Sequence, residues 1–427
     1  MVEFGLLPML RARAGPVGEN GPVAHAAAAD SFLVSRVPRI TFGAGAVEGL
    51  PEAVARHGRR ILLVSGRHPL RAAGRPVDVP AALAAAGLEA ESWLVAGEPT
   101  PALVDEAVAR FRERDIAVVV GIGGGSALDT AKAVAGLVPS GDSIMEHLEG
   151  VGPGRALDGP VVPWIAVPTT AGTGSEATRN AVVSVPGQGK RSFRDERLIA
   201  AEAILDPDLL ADCPPAQIAA SGLDALTQLL EAYVSLRASP FTDALARSGL
   251  GAVRAGLLAW HRAVREGAPE SAAAVAGRAE MAYAALASGI ALANAGLGAT
   301  HGVAAALGGL FGTPHGIACG AILVATVRVN LAALEERDPA GPALSRYADL
   351  GRLLGGAPDL SDRDARARLV GLLEAWSREL QVPGLGAFGV EGGRLAELVP
   401  LSRGSSMRSN PIALDDGEIE RILRQSL

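Results

Sequence analysis

The chain has 427 residues, enough for two domains with substantial cores, and at 49% hydrophobic and 20% charged it has an ordinary globular composition. A formal net charge of −7 with 39 Lys+Arg and no basic–aromatic interleaving argues against nucleic acid, and no run of 18 apolar residues argues for a membrane span. Cys213 and Cys319 are too few for a disulfide framework and lack Cys–Cys metal spacing, so both read as buried thiols.

Glu3 precedes the first short apolar patch and Arg11 and Arg13 follow it, the wrong charge order for a secretory signal, so the cytoplasm is the expected compartment. Residues 1–30 are expected to form a loosely ordered extension, because residues 14–30 lack any period and are rich in Gly, Pro and Ala. Order is expected to begin with two strand-like runs, Phe32–Val37 and Arg39–Gly43, separated by Pro38. Arg60–Ser65 reads as a buried strand followed by a helix around Ala81–Ala86. Glu91–Val95 reads as a second strand followed by a helix over Val104–Arg114, and Ile116–Val120 as a third.

The third strand runs straight into Gly121, Gly123, Gly124, Gly125 and Ser126, and an alanine-rich helical segment follows at once. A phosphate-binding turn is built this way. Glycines let the backbone approach a pyrophosphate, and the free N–H groups and dipole of the following helix favour the anion. The pattern G-x-G-x-x-G is met at Gly121 and Gly123 and broken at Ser126, so on the pattern alone a plain strand-to-helix turn stays open. Pro163–Val167 is a fourth strand, ending at Pro168–Glu176. Strands alternating with helices predict an α/β dinucleotide-binding domain over residues 31–204. Its parallel, Rossmann-like sheet is expected to be covered on both faces, with ligands at the carboxyl ends of the strands.

After Asp206-Pro207 the pattern turns helical, with runs over Ala216–Ser235, Pro240–Glu266 and Ser271–Ala291, so residues 205–427 are expected to form an all-α domain. Asp224 and Gln228 fall one turn apart on one helix face. Thr300-His301-Gly302 and Thr313-Pro314-His315-Gly316 supply two of the seven histidines. On one unbroken helix His301 and His315 would stand about 21 Å apart, too far to share an ion. Gly312-Thr313-Pro314 breaks that helix and lets the chain turn. One carboxylate, one amide oxygen and two imidazoles would suit Fe, Zn or Mn with a position left for a substrate oxygen. Taken singly, each of these residues has an ordinary structural reading; together they favour a metal site.

The segments Gly123–Lys132, Pro168–Glu176, Ile204–Pro207, Gly222–Gln228, His301-Gly302 and Pro314–Gly316 resemble the iron-containing (group III) alcohol dehydrogenases, in order and spacing, over roughly Phe32 to Leu427. The resemblance implies an α/β domain that binds NAD or NADP, a helical domain with a divalent metal, iron before zinc, and a cleft between them for a small alcohol or aldehyde. By position it makes Asp224, Gln228, His301 and His315 metal ligands, with Asp224, His301 and His315 serving the chemistry. Gly66, Gly123, Gly124, Gly125 and Ser126 resemble the cofactor loops, Asp129 stands beside the pyrophosphate, Thr169, Thr170 and Thr173 line the adenine and ribose side, and Lys190 lies near the ribose.

Three positions depart from the family. Gln228 replaces a histidine, Ala305 stands where many members have a further histidine that relays a proton, and Ser65-Gly66-Arg67 lacks the carboxylate of NAD-preferring relatives. Without that carboxylate Arg67 can pair with the 2′-phosphate of NADP, so tolerance of NADP is expected. The rival readings are a metal-independent reductase like the maleylacetate reductases, a lyase like dehydroquinate synthase, and a nucleotide-binding protein without turnover. A homodimer is expected, paired through edge strands near Phe32–Phe42.

Overall fold

In the computed structural model, which describes residues 31–67 and 70–427, the β-branched runs of the first half assemble side by side as one parallel sheet. The extension expected over residues 1–30 lies outside the described residues. Val34–Leu427 forms one compact unit. Its strands are β1 (Arg39–Phe42), β2 (Arg60–Gly66), β3 (Arg71–Ala72), β4 (Arg75–Pro76), β5 (Glu89–Val95), β6 (Val118–Gly123), β7 (Trp164–Pro168), β8 (Asn180–Val185), β9 (Gly189–Arg194) and β10 (Glu202–Leu205). Six of them form the sheet in the order β1-β10-β7-β6-β2-β5, while β3-β4 and β8-β9 are separate antiparallel pairs.

The first half also carries α1 (Leu50–Ala55), α2 (Val79–Ala85), α3 (Pro101–Phe111) and α4 (Gly125–Leu137). Ile61, Leu63, Val118 and Val120 pack on one face of the sheet with α1 and α2, and Leu62, Val64 and Val119 on the other with α3 and α4. With both faces buried, β2 and β6 read as continuous apolar runs rather than alternating ones. The connection from β2 to β5 runs one way and the next returns past β2 to β6, so the strand order reverses between β2 and β6. A ligand crevice belongs at that reversal, and Gly66 and Gly123 end the two strands there.

Two expectations need correction. Residues 34–37 are not a strand: the Ser35 amide donates to Asn294 Oδ1 at 2.8 Å and Arg36 reaches the Ile199 carbonyl, so this stretch is tied to other elements instead of a ladder. Conversely β8, β9 and β10 are strands that the sequence reading passed over. β8 and β9 hide as a hairpin because β9 offers only Phe193 to the core among Gly, Lys, Arg and Ser.

The second half is helical: α5 (Pro215–Val234), α6 (Pro240–Arg265), α7 (Ala272–Ala295), α8 (Ala299–Phe311), α9 (His315–Arg337), α10 (Pro342–Gly355), α11 (Asp362–Glu379), α12 (Leu395–Leu401) and α13 (Asp416–Gln425). Pro214 and Pro215 start α5, which packs against α6, α7 and α9 and is buried almost all round. A helix so placed must satisfy any polar side chain from its neighbours, because an unpaired buried group is costly. On α5 Ser221 and Thr227 donate back to the carbonyls one turn earlier, and Asp224, Gln228 and Glu231 form one stripe along its length. α9 is long and apolar enough to span a membrane, but most of its apolar stretch is buried in the protein's own core.

Candidate active site and metal centre

The helical pattern from Ala299 breaks where the sequence indicates. α8 ends at Gly312, whose φ of 64° closes the helix, and α9 begins at His315 after Pro314. His315 opens α9 against α5: a Cβ on the next residue, Gly316, would stand 2.2 Å from the Ala220 carbonyl oxygen, so only glycine lets the two backbones meet. His301 lies in the first turn of α8, and the His301 and His315 rings come to 5.4 Å between centroids. Asp224 Oδ1 lies 3.3 Å from His301 Nε2 and 3.9 Å from His315 Nε2. Cys319, one turn beyond His315, joins them with Sγ 3.8 Å from His315 Nε2.

The four donor atoms lie within 4.8 Å of one another. Four protein donors around one ion stand about 3.3–3.6 Å apart, so the group could close on a divalent ion with shifts of up to about 1.5 Å at its widest pair. Asp224, His301 and Cys319 are buried, and only His315, its side chain 31% exposed, reaches toward solvent.

Glu231 stands behind this group. Its carboxylate accepts from His301 Nδ1 at 2.6 Å and from the amides of Gly298 at 2.8 Å and Thr300 at 2.7 Å, so it also caps the start of α8. A carboxylate on Nδ1 fixes the proton there and leaves Nε2, the atom facing Asp224, as the nitrogen free to ligate. Burial alone would raise the Asp224 carboxyl, but the hydrogen bond from His301 and the positive charge of His315 hold it below its ordinary range. Burial likewise opposes a charge on His301, and Cys319, Glu231 and Asp224 outweigh it, lifting His301 well above the usual imidazole value. Gln228, expected as a ligand, lies 3.5 Å through Nε2 from the Thr173 carbonyl, and its Oε1 accepts from Ser288 Oγ at 2.6 Å.

The glycine turn sits where the third strand predicted it, between β6 and α4. A side chain on Gly125 would meet Thr173 Cγ2 at 2.8 Å, so the turn and the loop over residues 168–176 touch backbone to side chain. Gly124 faces Thr170 in the same way, at 3.3 Å, and the Thr169 amide donates to the Gly123 carbonyl at 2.9 Å. A Cβ on Gly123 would come within 3.6 Å of the Gly66 amide, which brings both strand ends to one crevice. Ser126 stands in the first turn of α4. Asp129 is held by the loop over residues 168–176 and by β8: it accepts from Ser175 Oγ at 2.6 Å and from the Val182 amide at 3.1 Å. Lys190, on the β8-β9 hairpin, pairs with Glu98 at 2.6 Å. Arg67, just past β2, is exposed.

Glu231 and Cys319 are the site residues that the sequence reading missed. Glu231 continues the stripe Asp224, Gln228 at the next turn of the same helix, a signal present in the spacing. Cys319 follows His315 by four residues on α9, but a rule that looks for pairs of cysteines does not see a His–Cys pair.

Known proteins resemble this chain in sequence and fold. The family model for iron-containing alcohol dehydrogenase matches residues 38–207, and the model for the C-terminal part of the Fe-containing alcohol dehydrogenase family matches residues 218–427. Long-chain-alcohol dehydrogenase 1 of Geobacillus thermodenitrificans is 34% identical over 397 residues, covering 90% of this chain and 96% of its own. NAD-dependent methanol dehydrogenase of Bacillus methanolicus is 32% identical over 397 residues, covering 91% and 98%. Among solved structures a 1,3-propanediol oxidoreductase superposes with a TM-score of 0.80 at 30% identity, covering 93% of this chain and 100% of its own. With both halves matched and the likeness running almost end to end, the chain belongs to the iron-containing alcohol dehydrogenase family and is an oxidoreductase acting between an alcohol and its carbonyl compound.

Proposed function

We propose that this dehydrogenase passes hydride between NAD(P) at the glycine turn and a small alcohol or aldehyde beside a divalent ion, iron or zinc, held by Asp224, His301 and His315. The observation that carries the reading is the convergence of Asp224 Oδ1 with the Nε2 atoms of both histidines, at 3.3 and 3.9 Å. When bound, the ion polarises the substrate oxygen and favours the alkoxide, while the nicotinamide takes or gives the hydride. The chain's own residues prepare that encounter. Glu231 holds Nδ1 of His301, which aims Nε2 at the ion. Gly123, Gly124 and Gly125 let the pyrophosphate approach the first N–H groups of α4. Thr173 packs on Gly125 and presents its carbonyl to Gln228, so one residue links the cofactor turn to the helix that carries Asp224.

Ala305 is exposed, so water takes the alcohol proton where relatives place a histidine. Arg67 offers a guanidinium to a 2′-phosphate, which makes NADPH a substrate beside NADH. Two chains pair through the open edge of β1, where Ile40 is 38% and Phe42 44% exposed. The compartment is the cytoplasm, where free thiols such as Cys213 and Cys319 stay reduced. Oxidation of NADH and of NADPH with a panel of short aldehydes tests the reading. Both cofactors are expected to be consumed, and turnover with neither would leave a nucleotide-binding protein in place of an enzyme.

A further inference from the structure

We propose that Cys319 supplies the fourth protein ligand to the metal, so that the donor set is one carboxylate, two imidazoles and one thiolate. The inference rests on the metal-assisted reading above and concerns which atom completes the site.

Position 228 carries an amide whose oxygen is engaged by Ser288 and whose nitrogen also lies beside Asp224. Its oxygen accepts from Ser288 at 2.6 Å and its nitrogen faces the Thr173 carbonyl at 3.5 Å, so Gln228 braces α5 against α7 and the Thr173 loop. Cys319 is placed differently. It stands one helical turn after His315, so the two side chains share a face of α9, and Sγ lies 3.8 Å from His315 Nε2. It is wholly buried. A thiol that merely fills a core has apolar neighbours on every side. Cys319 has them on one side only, in the cluster that includes Val303 and Ile322; its other side faces two imidazoles and a carboxylate.

The separation from His315 suits ligation. A four-coordinate ion with one sulfur holds its nitrogen and sulfur donors about 3.5 Å apart, and Sγ and Nε2 of His315 already stand at 3.8 Å on a common helix face. On binding, the S–H bond of Cys319 breaks, its electron pair forms the sulfur–metal bond, and the proton leaves to solvent. Thiolate is a soft donor, so the exchange of an imidazole at position 228 for sulfur at position 319 moves the site's preference from iron toward zinc. With four protein ligands an ion here would take a substrate oxygen only as an added ligand, and His315, its side chain 31% exposed, marks the side that solvent reaches.

Cobalt(II) added to the metal-stripped full chain tests this directly, because a cobalt–thiolate bond gives an intense charge-transfer band in the near ultraviolet and nitrogen or oxygen ligands do not. The wild type is expected to show that band together with the visible bands of bound cobalt. Cys213→Ser and Gln228→Ala should keep it, and Cys319→Ser should lose it while still binding cobalt more weakly. Visible bands without the charge-transfer band in the wild type would overturn the role of Cys319 and leave the metal site standing. No cobalt spectrum of either kind would remove the metal reading itself. The wild-type spectrum decides alone if Cys319→Ser does not fold.

Discussion

The imidazole of His301 stands between two carboxylates, with Glu231 2.6 Å from Nδ1 and Asp224 3.3 Å from Nε2. An ion on Nε2 would replace the contact with Asp224 and leave the one with Glu231, so Glu231 is the group that would keep the ring oriented with the ion bound. The substitution Glu231→Gln removes the charge and keeps the shape. Ion affinity measured by chelator competition is expected to fall about 10–100-fold; an unchanged affinity would mean that the ring is held by packing alone. Asp224, His301 and His315 were legible in the sequence because a carboxylate on a helix and two histidines flanking a Gly-Pro break have few ways to meet. Glu231 and Cys319 were not, since each acquires its meaning from a neighbour on another element: Glu231 from the start of α8, Cys319 from Asp224 on α5.

At the scale of elements, a buried polar knot inside the first half ties α4 to the loop that packs on α7. Lys132 on α4 donates to the Ser175 and Asn180 carbonyls, both at 2.8 Å, and to Ser175 Oγ and Thr178 Oγ1, both at 3.0 Å. Burial brings its ammonium down to about 8. Glu176 in the same loop is 2% exposed, and burial pushes its carboxyl up from 4.5 to about 7. A carboxyl whose folded value is raised favours the fold below its unfolded value, and that contribution is lost as pH climbs through the folded one. The wild type should therefore lose up to about 3 kcal/mol relative to Glu176→Gln between pH 4.5 and 7. Urea unfolding at pH 5 and pH 8 checks this: the variant should be the more stable at pH 8 with most of the gap closed at pH 5. A gap that is the same at both values would show that Glu176 stays ionised in the fold.

The same scale explains what the sequence hid. β2, β6 and β7 announce themselves as runs of apolar residues, β5 only by its end Trp93-Leu94-Val95, and helices follow β2, β5 and β6 in step. β8 and β9 do not, because a two-stranded ribbon with one face on α4 needs only every second residue to be apolar and β9 has a single one. Only their turn, over residues 186–189, was visible. β10 is four residues long and was masked by the Asp206-Pro207 signal that follows it.

For the whole molecule, the sheet leaves β1 paired with β10 alone among the described residues, an open edge that carries exposed apolar side chains. A lysine there would be tolerated in a monomer and would break a strand-to-strand contact between chains. Ile40→Lys is expected to lower the solution mass, measured by light scattering, from that of a dimer to that of one chain. An unchanged mass would place the contact elsewhere.

Whether an ion held by Asp224 and the two histidines takes part in the reaction is tested most directly by aldehyde reduction with the purified protein. Rates are compared before chelation, after it, and after one equivalent of zinc or iron(II) is returned. Activity should vanish with the chelator and return with the metal. Full activity in the stripped protein would contradict a metal-assisted reaction and move the chain to the metal-independent reductases.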